Sequence, residues 1–169
     1  YFYKKNTPVS KILNQAHNNL LDYVEKIWID KPDNNPIKTK YDAIILASII
    51  EKESSNVIDK NKVGGVFLNR LHIGMKLQSD PTIIYGLLPD FDGDIKKKDI
   101  LDKTNIYNTY IIESLTSTPI SMPTKTSLKA AIVNEPNSYL FFVSNNQGSH
   151  VFSETYDEHQ KNVRKYQLQ

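Results

Sequence analysis

One carboxylate in this chain stands where an acid would be useful. The segment Tyr41 to Ser55 reads YDAIILASIIEKESS. On a helix, Leu46, Ile49, Ile50 and Glu53 follow the i, i+3, i+4, i+7 spacing of a single face. Glu53 therefore extends an apolar stripe instead of joining the wet side. Glu51 lies about 200° away from it, at about 100° per residue, so the two carboxylates meet different surroundings. A carboxyl drawn onto an apolar face is desolvated, and one near a helix C-terminus also meets the negative end of the dipole. Both effects raise its pKa. A carboxyl still protonated near neutral pH is what a general acid needs to protonate a glycosidic oxygen. The same pattern also fits a Glu that only snorkels or hydrogen-bonds at the rim of a core.

Other residues are candidates by type. Gln78 carries an amide with both donors and an acceptor, able to bind a polar ligand. Ser79-Asp80-Pro81 reads as a helix start, with Asp80 as N-cap and Pro81 in the first helical position, and Ser79 able to cap as well. Tyr107-Asn108-Thr109-Tyr110 joins aromatic surface to amide and hydroxyl groups, the mixture on which sugars bind. With 10 Tyr in the chain, an aromatic pair alone selects little. His150 lies among strand residues, where a structural role is the commoner one. His159 is placed on the last helix, facing water. His17 and His72 have no partners at metal-ligand spacing, so no metal site and no cofactor is expected. Asp90-Phe91-Asp92-Gly93-Asp94 lacks the sixth-position Gly and twelfth-position Glu of a calcium loop and reads as a surface turn.

These residues belong to a chain of 169 residues, 39% hydrophobic and 24% charged, enough for one domain with its own core. The net charge of +2 gives no basic face for nucleic acid. There are no cysteines, which removes disulfides, thiolate metal sites and a Cys nucleophile. No apolar run approaches the ~18 residues of a membrane span. No signal peptide is visible, and the absence of an initial Met suggests a fragment.

The elements that must position the candidates are mostly helical. Periodicity predicts a helix over 8–29, a loop over 30–40 and a strongly apolar helix over 41–54. Residues 56–62 read as a short connection and 63–71 as the next helix, with Gly64 and Gly65 explained by close helix packing. Short helices follow at 82–87 and 127–133, separated by a loop-rich stretch over 89–109. Lys96-Lys97-Lys98, followed by Asp99, reads as a solvated loop or helix start. Residues 139–144 and 150–152 form a hairpin around Asn145-Asn146-Gln147-Gly148, and a helix over 153–167 closes the chain. The class is α+β: a mainly helical lobe with a small antiparallel β element near the C-terminus.

Six segments occur in an order that resembles a known family: ASIIEKES (47–54), VGGVFLNRLHIGMKLQSDPTIIYG (63–86), YNTY (107–110), SLKAAI (127–132), YLFFVS (139–144) and GSHVF (148–152). Together they resemble the MltG (YceG-like) family of endolytic murein transglycosylases, over roughly 41–166. Residues 1–40 then form a leading helix and loop before the catalytic region. The resemblance implies a lysozyme-like catalytic lobe with Glu53, the second Glu of EKE, as the catalytic residue. Gln78, Ser79, Asp80, Tyr107, Asn108, Tyr110 and His150 fall on its substrate-binding motifs. Asp80 fits an N-cap better than a base, although it stays open as a second carboxylate.

The implied reaction breaks MurNAc-β-1,4-GlcNAc bonds without water. One Glu protonates the leaving oxygen, then accepts the proton of the MurNAc C6 hydroxyl as a 1,6-anhydro ring closes. Ordinary glycosidases divide these tasks between two carboxyls. The resemblance also implies peptidoglycan glycan strands as substrate, cell-wall synthases as partners and a place on the outer face of the cytoplasmic membrane. The family's membrane helix and LysM-like lobe lie outside this chain, so membrane contact would come only through that missing segment. One stretch departs: Ser117 to Thr124 reads STPISMPT where the family carries a segment like PPGPICNPG. Met122 and Thr124 replace a common Asn and Gly, which would alter substrate fit if the loop borders the cleft. The competing reading is a non-catalytic peptidoglycan-binding or scaffold domain. Hydrolysis of the lysozyme kind is a third.

Overall fold

A computed structural model describes residues 2–134 and 137–167. In chain order it contains α1 (Val9–Trp28), α2 (Lys40–Glu53), α3 (Val57–His72), α4 (Asp80–Leu87), α5 (Lys97–Ile100), α6 (Lys125–Ile132), β1 (Phe141–Ser144), β2 (His150–Ser153) and α7 (Tyr156–Tyr166). The expected α+β class holds. No described helix is long and apolar enough to cross a membrane.

The apolar run of α2 explains the centre of the fold. Every residue from Ala43 to Ile50 is buried, so α2 is enclosed on all sides rather than laid on a surface. Its start is set by a capping box, in which Thr39 accepts from the Asp42 N–H and Asp42 accepts from the Thr39 N–H. α6 packs against both α2 and α3. Leu46, Ile49, Ile50, Val63, Phe67, Leu128 and Ile132 are fully buried where these three helices meet. Each such side chain contributes about 1.5–3 kcal/mol by leaving water.

The connection read at 56–62 is instead the first part of α3. The Asn56 side chain caps it, accepting from Ile58 N at 2.9 Å and Asp59 N at 3.4 Å. The polarity of this stretch suggested a loop, but Asp59 and Lys60 are buried and paired. Gly64 does serve close packing: a Cβ there would lie 2.6 Å from the Ala130 carbonyl oxygen and 3.0 Å from the Ala130 Cβ. Gly65 similarly faces the Asn137 side chain.

β1 and β2 form the expected antiparallel hairpin, from Phe141 opposite Ser153 to Ser144 opposite His150. Asn146 and Gly148 supply positive φ angles of 59° and 78° in its turn. The hairpin lies on α3, with Phe142 edge-on to Phe67 at 5.9 Å. α7 closes over it from a Thr155–Glu158 capping box. His159, expected to face water, is half-buried and stacks on Phe141 at 5.3 Å. An aromatic face on α7 outweighs the polar look of that helix.

Candidate active site

α2 ends on Glu53, and Ser54 turns the chain away, its Oγ accepting from Asn56 N at 3.1 Å. The catalytic candidate is thus the last residue of the most buried helix. Glu53 is half-buried, and burial pushes its pKa up to about 7. A hydrogen bond donated by Ser79 opposes this rise, the nearby negative Asp80 adds to it, and positive Arg70 opposes it. Ser79 Oγ donates to Glu53 Oε1 at 2.5 Å.

Glu51, two residues earlier, behaves oppositely. Burial alone would raise its pKa, but hydrogen bonds from Lys60, Ser127 and Thr124 outweigh that and hold it at about 2. Lys60 Nζ is 2.7 Å from Oε1, while Thr124 N, Thr124 Oγ1 and Ser127 Oγ donate to Oε2 at 2.9, 2.7 and 2.6 Å. Glu51 is a pin, charged at neutral pH, between α2, α3 and the start of α6. The two environments that helix geometry separated are therefore chemically distinct.

The segment before α4 faces Glu53. Gln78 takes a left-handed φ of 51°, which costs a non-glycine residue about 1 kcal/mol. Its N–H donates to the Thr109 carbonyl at 3.1 Å, and its side chain is exposed. Ser79 is fully buried. The N-cap position of α4 belongs to Ser79, not Asp80, and neither side chain caps the helix. The Ser79 hydroxyl is drawn to Glu53, and the Asp80 carboxylate accepts from Tyr110 Oη at 2.6 Å. Burial, the Asp80 bond and the negative charges of Asp80 and Glu53 raise the Tyr110 pKa against an opposing effect of Arg70, so this phenol stays a donor.

Glu53, Ser79, Asp80 and Tyr110 thus form one connected group, with Gln78 exposed beside it. The other candidates are used elsewhere. Asn108 is fully buried, and its Nδ2 lies within 3.1 Å of the carbonyls of Asp99, Ile100 and Asp102. Its Oδ1 accepts from Tyr110 N at 3.0 Å. That side chain organises the loop and has no face for a sugar. Tyr107 stacks edge-on against Tyr85 at 4.7 Å, and its hydroxyl meets Thr118 Oγ1 at 2.8 Å. His150 is tied to buried Asp59, through its N–H at 2.8 Å and its Nδ1 at 3.0 Å. This pair fastens the hairpin to α3.

Arg70 was missed as a functional residue, although it falls on the apolar stripe of its helix just as Glu53 does. It is buried, and burial brings its pKa down to about 10. Nη1 donates to the Leu77 carbonyl at 2.5 Å and Nε to the Leu140 carbonyl at 2.8 Å. The guanidinium lies over the Phe141 ring at 5.6 Å. One cation thereby fastens the segment before Gln78 to the entry of β1, near enough to Glu53 to feel its charge. Thr82 and Thr109 are both fully buried behind Ser79; the sequence marks Thr109 only as part of the 107–110 motif, and marks neither as a support for Ser79.

The departing stretch 117–124 packs on α2. Ile120 N donates to Ser48 Oγ and Ser121 Oγ to the Ser48 carbonyl, both at 2.9 Å. Thr124 caps α6 and bonds Glu51. Its hydroxyl adds anchoring a glycine could not give.

Residues 1–165 match the YceG-like family. This chain belongs to the YceG-like family. It is 37% identical over 123 residues to a Bacillus subtilis protein named endolytic murein transglycosylase, covering 73% of this chain and 34% of the relative. A Streptococcus pneumoniae protein of the same name is 26% identical over 174 residues, covering 98% of this chain and 30% of the relative. The chain thus spans about a third of the length of these relatives. The crystal structure of a yceG-like protein from Listeria monocytogenes superposes with a TM-score of 0.78 at 30% identity. That superposition covers 95% of this chain and 52% of the Listeria chain.

Proposed function

We propose that this chain is the catalytic region of an endolytic murein transglycosylase, with Glu53 as its single acid/base. The observation that carries this is a carboxyl pushed to about 7 at the end of a buried helix. Membership of the YceG-like family and the names of the relatives above support the substrate class.

The chemistry follows from that carboxyl. Protonated Glu53 gives its proton to the oxygen linking MurNAc to GlcNAc as the C1–O bond breaks. The positive charge developing at C1 is met by the new Glu53 carboxylate, whose charge Arg70 offsets. The MurNAc C6 hydroxyl then attacks C1, and Glu53 takes back its proton. The products are a 1,6-anhydro-MurNAc end and a free GlcNAc 4-hydroxyl, with the enzyme unchanged. Exposed Gln78 would hold a sugar beside the acid. Asp80, hydrogen-bonded to Tyr110, is less suited to act as a second base. The site of action would be peptidoglycan at the outer face of the cytoplasmic membrane, beside cell-wall synthases.

The test is mass spectrometry of uncrosslinked glycan strands incubated with this chain and with Glu53→Gln. Anhydro-MurNAc ends that vanish in the variant are expected. Hydrated reducing ends would replace the reaction with hydrolysis. Strands bound but left intact would establish a binding or scaffold domain.

A further inference from the structure

We propose that Ser79 is a positioning residue for Glu53, its hydroxyl fixing Oε1 so that Oε2 carries the exchangeable proton. This rests on Glu53 being the acid/base. The geometry begins with the hydroxyl itself, which is fully buried and donates to Oε1 at 2.5 Å. A carboxyl whose one oxygen accepts a fixed hydrogen bond places its own proton on the other oxygen. Protonation is thereby given a location as well as a midpoint.

The serine is held from behind by a closed ring. Ser79 N–H donates to Thr109 Oγ1 at 2.9 Å. Thr109 Oγ1 and Thr82 Oγ1 lie 2.9 Å apart, and Thr82 Oγ1 donates to the Ser79 carbonyl at 2.6 Å. With the Thr109 proton directed to Thr82, each group gives one hydrogen and the ring closes on the residue it started from. Thr109 adds its own carbonyl, which accepts from Gln78 N at 3.1 Å. Thr82 and Thr109 are fully buried, as is Ser79. The hydroxyl that meets Glu53 thus hangs from a backbone with both of its hydrogen-bonding groups taken, and needs no reordering as the carboxyl gains and loses charge.

The role is one of support. Ser79 reaches substrate only through Glu53, and its value lies in stabilising the carboxylate formed after proton donation. Losing it should therefore raise the midpoint of Glu53 and slow its donation of the proton, with little effect on strand binding.

The experiment is a 13C NMR titration of the Glu53 carboxyl in this chain, alongside Ser79→Ala, Ser79→Thr and Thr109→Val. Ser79→Ala is expected to raise the midpoint by about one pH unit, the size of one charge-assisted hydrogen bond. Ser79→Thr keeps the hydroxyl and should return the midpoint to that of the parent. Thr109→Val opens the ring and should move it in the same direction by less. An unmoved midpoint in Ser79→Ala overturns the proposal, as does a rise shared equally by the Thr variant. A Thr109→Val midpoint that stays put removes the ring from it. The titration needs no glycan, so it stands apart from failure of the transglycosylase reading. On glycan strands, the Ala variant should lose turnover at least tenfold with KM near that of the parent.

Discussion

Glu51 and Glu53 leave α2 two residues apart, and their carboxyls are held at about 2 and about 7. Four donated hydrogen bonds meet the first, and one meets the second. Divergent environments on one turn of helix separate a structural anion from the proposed acid.

Activity should depend on pH in one direction around neutrality. The donating form of Glu53 is protonated, and its pKa is about 7. Initial rates of anhydro-end formation should therefore be flat between about pH 5.5 and 6.5 and fall about tenfold per unit well above pH 7. Rates that climb through pH 8 would remove Glu53 as the acid. Glu53→Gln should cost at least about a hundredfold at every pH.

The same group shapes stability with the sign of a raised carboxyl. Between its unfolded value of 4.5 and about 7 the folded chain binds the Glu53 proton more tightly than the unfolded one. That contribution is complete below pH 4.5 and is lost as pH rises through 7. Glu53→Gln carries no such loss. Urea unfolding at pH 8 should find it more stable than the parent by about 2 kcal/mol, with the gap closing by about pH 4.

Glu51 carries the opposite sign. Its depressed pKa stabilises the fold above its unfolded value of 4.5, and that stability is lost as pH falls through about 2. Glu51→Gln should lower unfolding free energy at pH 7 by about 2–3 kcal/mol, partly by leaving buried Lys60 without its partner. The gap between parent and variant should shrink to about half or less at pH 3 and close only as pH falls through about 2. A constant difference would assign the loss to shape alone.

Gly64→Ala tests the helix contact. Alanine favours a helix by about 1 kcal/mol over glycine. Here its Cβ would lie 2.6 Å from a backbone oxygen of α6. Overpacking should prevail, with a net loss of about 1–2 kcal/mol in thermal or urea unfolding. A stabilised variant would show that α6 can move away.

Much of this arrangement was legible in the residues because it is local. The period of α2 placed Glu53 on the apolar face and parted it from Glu51. Asn-Asn-Gln-Gly between apolar runs located the hairpin. What stayed hidden depends on contacts remote in sequence. Ser79 meets Glu53 across 26 positions, and Arg70 reaches Leu140 across 70. Asn108 has the right chemistry for sugars, but three carbonyls of its own loop occupy it, and residue type alone gives no account of that. Asn56 to Lys62 looked like a linker because its buried charges find partners outside the segment, Asp59 in His150 and Lys60 in Glu51. Arg70 did leave a trace, a cation on an apolar stripe, which points to a buried partner as surely as an anion there does.

The double grip of Arg70 has a consequence for how this chain can be cut. Leu77 lies just before the residues facing Glu53, and Leu140 opens the hairpin, yet one guanidinium holds both. The C-terminal fifth is therefore no detachable appendage. Removing it would strand half of a buried fork and loosen the footing of Gln78 and Ser79. Any minimal version of this lobe must retain the hairpin, and a label or fusion belongs on the exposed face of α1 instead.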